Sequence, residues 1–339
     1  MRHFVLESQM SNSNFSYSSL TPELQLDALA SVGIYPETGL IQLNSYENRV
    51  SLFTDENKIR YVVKFYRPQR WNKAQLLEEH AFSLQLKRQG CLLAEPVSVE
   101  EQTLFEFQGY YFSLFKSLSA RSLESDNLDH LYEVGAALGK LHKISSNGTF
   151  ETRETLDIKT MLSTPIQQLK ESKLVPKFIS EELFSTMDKV EKLTTEIFGK
   201  HVFTAIRLHG DCHASNILMD ADTPYFVDFD DCKMGPAIQD LWMLLSENKQ
   251  EQKLQISTLL EGYEEELAFD NAQLALIEPL RSMRIIHYVS WINKRWKDPA
   301  FPLNFPWFTT DEYWLELLQS LKQQITNMQE LPVSIQPDY

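Results

Sequence analysis

The spacing of hydrophobic positions changes about a third of the way along the chain. In residues 61–66, Tyr61, Val63 and Phe65 alternate with Val62, Lys64 and Tyr66. This period of two predicts a β-strand with one wholly apolar face. Other short apolar stretches bounded by turn residues predict further strands at residues 40–43, 49–53, 103–107 and 110–118.

Two helices accompany these strands. Thr21 and Pro22 form a favourable helix start, as N-cap and first-turn residue, and Gly33 ends that helix. Asn72 caps a second helix, which we expect to continue to Gln89. The first third of the chain therefore predicts an antiparallel sheet packed with helices.

The pattern becomes helical after this region. Asp126 is the predicted N-cap of a helix in which Leu131, Val134 and Leu138 fall at helical spacing. Only residues 203–229 interrupt the helical pattern with short strands. Further helices are predicted at residues 156–172, 180–199, 236–249, 251–267, 271–297 and 311–329.

The order of these elements predicts an α+β, bilobal, protein-kinase-like fold. A Ser/Asn-rich, disordered extension would cover residues 1–19. A small N-lobe, an antiparallel sheet plus a helix, would follow at residues 20–118. A larger helical C-lobe with catalytic and metal-binding loops would occupy residues 119–339.

Composition restricts the class of protein. The net charge of −15 and the pI of about 5.0 argue against nucleic acid as a partner. Three cysteines are an odd number and too few for a disulfide framework, so we expect a reducing, cytoplasmic compartment. No apolar run approaches the roughly 18 residues of a membrane span, and the first residues lack a signal-peptide core.

The segment from Leu208 to Asp231 carries the most specific chemical signal. Asp211 and Asn216 have the spacing of the Asp and Asn in a kinase catalytic loop, and Asp228 follows the next strand. Asp211 is the predicted base for the acceptor hydroxyl. Asn216 and Asp228 are predicted oxygen ligands of Mg²⁺, so Asp228 also counts as catalytic. These residue types together predict phosphoryl transfer from ATP.

Zinc is an alternative for the same segment. His209 and His213 flank Asp211 in a His-x-Asp-x-His pattern, and Cys212 and Cys232 lie nearby in the sequence. Zinc would leave Asn216 unexplained, so the magnesium interpretation is favoured.

Three residues of the first lobe are candidates for binding ATP. Lys64, within a strand, can reach the phosphates if a helix glutamate holds it, and Glu79 is the favoured partner over Glu78. Residues 43–49 lie where a phosphate-covering loop belongs but contain no glycine. The Ser45 hydroxyl and backbone N–H groups can bind phosphate there, although an ordinary hairpin turn explains this segment about as well.

With these residues identified, the chain resembles the aminoglycoside phosphotransferase/choline kinase superfamily. The similarity lies in the loop from His209 to Leu218, in Asp228 to Asp231 and in the helix end Leu138-Gly139-Lys140-Leu141-His142. Within that superfamily the chain is most similar to the bacterial stress response kinase A family.

This resemblance extends over about residues 20–339 and implies a function. It implies a cytoplasmic, monomeric, Mg²⁺-dependent serine/threonine protein kinase of a stress response. It transfers the role of base to Asp211, magnesium binding to Asn216 and Asp228, and an ATP contact to Ser45.

Two other functions remain open at this point. A small-molecule kinase acting on an aminoglycoside or choline-like hydroxyl would use the same loop. A stripe on the predicted helix 271–297 bears on the choice, because a groove there would favour a peptide acceptor; it comprises Arg281, Arg284, Tyr288, Trp291 and Arg295. A non-catalytic pseudokinase scaffold is supported only by the missing glycines.

Overall fold

The computed structural model describes residues 17–335 and contains the two lobes that the sequence predicts. In chain order, the first lobe consists of α1 (Pro22–Ala30), β1 (Ile41–Gln42), β2 (Arg49–Thr54), β3 (Arg60–Phe65), α2 (Lys73–Arg88), β4 (Phe105–Phe107) and β5 (Tyr110–Lys116). The second lobe consists of β6 (Arg121–Ser122), α3 (Leu128–Ser145), α4 (Thr164–Lys170), α5 (Lys177–Lys200), β7 (Ile206–Leu208), β8 (Ile217–Asp220), β9 (Thr223–Phe226), β10 (Lys233–Gly235), α6 (Gln239–Trp242), α7 (Lys249–Tyr263), α8 (Ile277–Arg295), α9 (Ala300–Asn304) and α10 (Asp311–Gln329). The predicted fold class is confirmed, whereas the division after residue 118 stays a prediction.

The five-stranded sheet of the first lobe is antiparallel, in the order β1-β2-β3-β5-β4. Tyr61, Val63 and Phe65 of β3 are buried in a core shared with α1. The intervening Val62 and Lys64 face the opposite side and line a cavity. The alternation predicted for this strand therefore separates a packing face from a face that is open to a ligand.

Helix starts in this lobe follow their capping residues. The Thr21 side chain accepts a hydrogen bond from the Leu24 N–H at the start of α1. Asn72 and Gln75 form a reciprocal capping box at the start of α2. Residues 17–19, predicted as part of a disordered extension, instead form a 3₁₀ turn; the remainder of that extension, residues 1–16, lies outside the described residues.

The second lobe departs from the predicted helices in several places. The N-cap of α3 is Asn127 and not Asp126, and its side chain accepts hydrogen bonds from the N–H groups of Asp129 and His130. The predicted helix 236–249 shortens to α6, and Asn248, near the end of the predicted span, instead caps α7. Two further predicted helices begin as other helical turns, a π turn at Lys159–Ser163 and a 3₁₀ turn at Asn271–Leu276. No helix within residues 17–335 has the length and apolarity needed to cross a membrane.

Strand pairing places the two polar loops of the motif region next to each other. β8 and β9 form an antiparallel hairpin, and β7 pairs with β10. One loop, residues 209–216, joins β7 to β8, and the other, residues 227–232, joins β9 to β10. Because β7 pairs with β10 and β8 pairs with β9, the two loops start and end on neighbouring strands and lie next to each other.

Helices α3 and α7 approach each other closely through small residues. A Cβ atom added to Gly139 of α3 would lie 2.3 Å from the carbonyl oxygen of Tyr263 at the end of α7. A backbone atom cannot move aside as a flexible side chain can, so only glycine fits at this position.

We therefore expect Gly139→Ala to lower the free energy of unfolding by about 1–3 kcal/mol, the usual cost of overpacking. Gly199→Ala is the matched control, because nothing lies within 4 Å of its added Cβ on α5. Urea denaturation followed by circular dichroism would compare the two midpoints. Equal midpoints for both variants would contradict the close approach of α3 and α7.

Candidate active site

A cavity of about 800 Å³ opens between the two lobes. Both lobes contribute to its wall, the first through β2, β3 and α2 and the second through the two polar loops and α8. All six residues predicted from the sequence line this one cavity: Ser45, Lys64, Glu79, Asp211, Asn216 and Asp228.

The loop that carries Asp211 is held by a buried carboxylate. Asp240 is 0% exposed and accepts hydrogen bonds from the backbone N–H groups of His209 and Gly210, at 2.7 and 2.8 Å. The His142 imidazole lies 3.1 Å from the same carboxylate and 3.0 Å from the Tyr263 hydroxyl. Asp240 therefore braces the loop that carries Asp211.

Gly210 brings this loop against the second polar loop, residues 227–232. Its φ of +85° is left-handed, and an added Cβ would lie 2.1 Å from the Asp231 carbonyl oxygen. The motif glycine is therefore required for both its conformation and its contact.

Both ring nitrogens of His209 form hydrogen bonds within the protein. Its Nε2–H donates to the Val227 carbonyl oxygen at 2.9 Å, and its Nδ1 accepts from the Asp211 N–H at 3.4 Å. A histidine with both ring nitrogens engaged offers no lone pair to a metal. The zinc interpretation is thus disfavoured, and no group of three or more His, Cys, Asp and Glu suited to a metal occurs among residues 17–335.

Asp211 has a basic residue near each of its carboxylate oxygens. Arg284 of α8 donates to Oδ1 at 2.6 Å, and His213 Nε2 lies 3.4 Å from Oδ2. Partial burial alone would raise the pKa of Asp211, but the His213 hydrogen bond and the Arg284 charge outweigh burial and hold that pKa well below its usual range. Asp211 is therefore ionised and able to orient a hydroxyl.

Asn216 and Asp228 have the donor atoms that magnesium requires. The Asn216 amide donates to the Asp211 carbonyl oxygen at 3.0 Å, which fixes the amide orientation and leaves its oxygen as the potential ligand. Asp228 has a left-handed φ of 62°, and its side chain is 47% exposed. An amide oxygen and an accessible carboxylate in one cavity fit a hard cation that completes its shell with phosphate and water.

Lys64 and Glu79 both reach the cavity but differ from the expected ion pair. Lys64 Nζ lies 2.6 Å from Asp228 and 3.6 Å from Asp230, whereas Glu79 binds Arg153 at 2.8 Å. Burial alone would lower the pKa of Lys64, but the charges of Asp228, Asp230 and Glu79 raise it well above its ordinary value. Lys64 is thus a permanent cation, and Arg153, not Lys64, positions Glu79.

The predicted phosphate loop is anchored by a side chain that follows Ser45. Asn48 donates to Asp230 at 3.0 Å and accepts from the Arg67 N–H at 3.1 Å. Ser45 itself is partly buried and lines the cavity. These contacts tie a loop without glycine to neighbouring side chains and backbone.

Glu47 joins this loop to the second lobe. Its carboxylate binds the Trp291 indole N–H at 2.7 Å and the guanidinium groups of Arg67 and Arg295. Arg67, only 2% exposed at its side chain, also binds Asp298 at 2.9 Å. We call these five residues, Glu47, Arg67, Trp291, Arg295 and Asp298, the Glu47 cluster.

The helix stripe predicted from the sequence divides among three environments. Arg284, Tyr288 and Trp291 line the cavity, and Arg295 belongs to the Glu47 cluster. Arg281 instead packs over the Trp242 ring.

Glu47, Arg70 and Arg153 were not among the predicted site residues, because each contacts residues far away in the sequence and therefore leaves no local sequence pattern.

Cys212 and Cys232 lie inside the protein. They are 0% and 1% exposed, and burial raises the pKa of both thiols far above its usual value. Both are therefore packed residues that form little thiolate.

Comparisons with known proteins agree with this geometry. A family model described as the phosphotransferase enzyme family matches residues 39–277. Stress response kinase A of Escherichia coli O157:H7 is 45% identical over 330 residues, covering 97% of this chain and 100% of that protein. Serine/threonine protein kinase RdoA of Salmonella typhimurium is 43% identical over the same length and coverage.

Solved structures share the fold at much lower identity. Amicoumacin kinase hAmiN, in complex with AMP-PNP, Ca²⁺ and Ami, has a TM-score of 0.71 at 19% identity and covers 91% of this chain and 94% of its own. A microcompartment-associated aminopropanol kinase has a TM-score of 0.69 at 16% identity, covering 91% and 96%.

We expect Cys212 to resist iodoacetamide at neutral pH in the native protein, since its thiol is enclosed and almost fully protonated. After unfolding in urea it should react readily, as any exposed thiol does. Mass spectrometry of both samples gives the measurement. Rapid modification of the native protein would show that the thiol is accessible.

Proposed function

The chain belongs to the phosphotransferase enzyme family, and from this premise we propose that it is an ATP- and Mg²⁺-dependent kinase of Ser and Thr hydroxyls in proteins, acting in a bacterial stress response. One observation carries this proposal. Asp211, Asn216, Asp228 and Lys64 line one cavity, where they supply a base, two oxygen ligands and a cation.

Each residue has a separate task in the proposed transfer. Asp211 orients the acceptor hydroxyl and takes its proton as the oxygen bonds to phosphorus and the bond to the ADP oxygen breaks. Lys64 would hold phosphate oxygens, and Asn216 and Asp228 would hold the metal ion. Magnesium, when bound, would neutralise negative charge on the phosphates.

The charge balance of the cavity favours a protein acceptor over a cationic small molecule. Every carboxylate on its wall has a basic partner within 4.0 Å: Glu47 with Arg67 and Arg295, Glu79 with Arg153, Asp211 with Arg284, Asp228 with Lys64, and Asp230 and Asp231 with Arg70. A small acceptor that carries an ammonium group would need to displace one of these cations before it could pair with a carboxylate. An uncharged Ser or Thr side chain avoids that cost.

The names of the relatives support the same choice. Proteins 43–45% identical over nearly the full chain are named as a stress response kinase and a serine/threonine protein kinase. Low cysteine use supports a cytoplasmic location, and the proposed enzyme acts as a monomer.

A small-molecule kinase is the second candidate. The solved structures that share the fold include kinases named for amicoumacin and aminopropanol. The outcome that would favour it is transfer of phosphate from ATP to small solutes and not to protein. A pseudokinase scaffold would bind nucleotide without any transfer.

Incubation with γ-labelled ATP and a bacterial extract separates these functions. We expect label in protein with the wild type, and Asp211→Asn should reduce transfer roughly a hundredfold or more because the amide cannot take the proton. Asp211→Asn should keep its affinity for nucleotide, whereas Asp228→Ala should lose magnesium-dependent binding. Asp222→Ala is the charge control, since Asp222 lies in an exposed turn of the β8–β9 hairpin. Equal nucleotide affinity in the Asp211 and Asp228 variants would refute this division of roles.

We expect Ser45→Ala to raise the KM for ATP several-fold, equivalent to about 1 kcal/mol for one lost hydrogen bond. Ser45→Thr keeps the hydroxyl and serves as the control. Steady-state kinetics at varied ATP, with kcat determined separately, provide the comparison. An unchanged KM would show that Ser45 does not bind ATP and that residues 43–49 form an ordinary hairpin turn.

A further inference from the structure

Three cations line the cavity beside Asp211: Arg70, Lys233 and Arg284. His287 also lines it, but burial lowers the pKa of this imidazole to about 4, so His287 is neutral near pH 7. Arg70 is neutralised by Asp231 at 2.8 Å and by Asp230, and Arg284 pairs with Asp211. Two of the three cations are therefore already paired with carboxylates.

Lys233 is the cation with the least compensation. It lies on β10 beside the catalytic loop, and its Cε would be 3.2 Å from a Cβ added to Gly210. Within residues 17–335, no carboxylate oxygen forms an ion pair of 4.0 Å or less with its Nζ. Lys233 is thus close to the acceptor position and available to an anionic ligand.

Arg284 already binds a carboxylate in this structure. Its guanidinium donates to Asp211 Oδ1 at 2.6 Å, yet its side chain remains 43% exposed. An arginine binds a carboxylate through a planar fork of several N–H donors, so a second carboxylate can reach the accessible side.

We propose that Arg284 and Lys233 form a subsite for carboxylates of an acidic peptide, next to the Ser or Thr that receives the phosphoryl group. This inference rests on the proposed function and specifies its substrate class. A partly exposed arginine and a lysine without a close carboxylate, both in the same cavity wall, match a peptide with acidic residues near the acceptor and repel a basic one.

The subsite also links the substrate to the base. The acceptor hydroxyl must approach an Asp211 oxygen, but Arg284 occupies Oδ1 and His213 lies beside Oδ2. A peptide carboxylate on the accessible side of Arg284 leaves the Arg284–Asp211 pair intact and brings a neighbouring hydroxyl near the Asp211 carboxylate, which retains free lone pairs. An acidic acceptor would therefore be bound next to the group that activates it.

Peptide binding tests this inference without relying on transfer. Fluorescent peptides with Ala at the acceptor position, flanked by either Glu or Gln, would be titrated with protein and followed by anisotropy. The wild type should bind the Glu peptide roughly tenfold more tightly, as expected for charge-assisted hydrogen bonds. Arg284→Gln and Lys233→Gln should each remove most of that preference and keep the affinity for Mg²⁺-nucleotide.

Lys294→Gln is the matched control, because Lys294 is an exposed residue of α8 outside the cavity wall. It should keep the preference, and free glutamate should not displace the peptide. Equal binding of the two peptides, including no binding of either, would overturn the inference, as would a preference that survives in both variants. Transfer to the matching Ser peptides is measured separately: if neither accepts phosphate, the proposed function fails while the binding result still decides the subsite.

Discussion

The geometry of the cavity depends on the buried carboxylate of Asp240. It accepts the backbone N–H groups of His209 and Gly210, which have no other way to be satisfied at the turn before Asp211. An unpaired buried N–H costs about 1–3 kcal/mol, so the loop is held in the one path that satisfies both. Because Asp211 and Asn216 follow within six residues, their directions are determined by this anchor, and His142 in turn orients the carboxylate.

Local signals predicted the parts of the molecule that local physics determines. The Asn72 cap, the alternation of β3 and the spacing of Asp211, Asn216 and Asp228 each involve neighbours in the sequence, and the structure contains these elements. The failures arose where distant residues prevail. Glu79, for example, pairs with Arg153, 74 residues away, and not with Lys64.

The Glu47 cluster explains how the loop at residues 43–49 is held in place without glycine. Glycine-rich loops rely on small residues that let the backbone approach phosphate closely. Here Arg67 binds the carbonyl oxygens of Tyr46 and Glu47, and Asn48 binds Asp230, so side chains outside the loop fix its path. The same cavity wall therefore comes from an ordered hairpin whose shape is set by ion pairs and not by backbone freedom.

The same cluster has an evolutionary consequence. Glu47 and Arg67 lie in the first lobe, and Arg295 and Asp298, which complete their ion pairs, lie in the second. A chimera that joined one lobe to the other lobe of a distant relative would leave Arg67 nearly buried beside a foreign surface, and an orphaned buried charge costs about 3–5 kcal/mol. We therefore expect a substitution at one of these four positions to be tolerated best when its partner across the lobes changes with it.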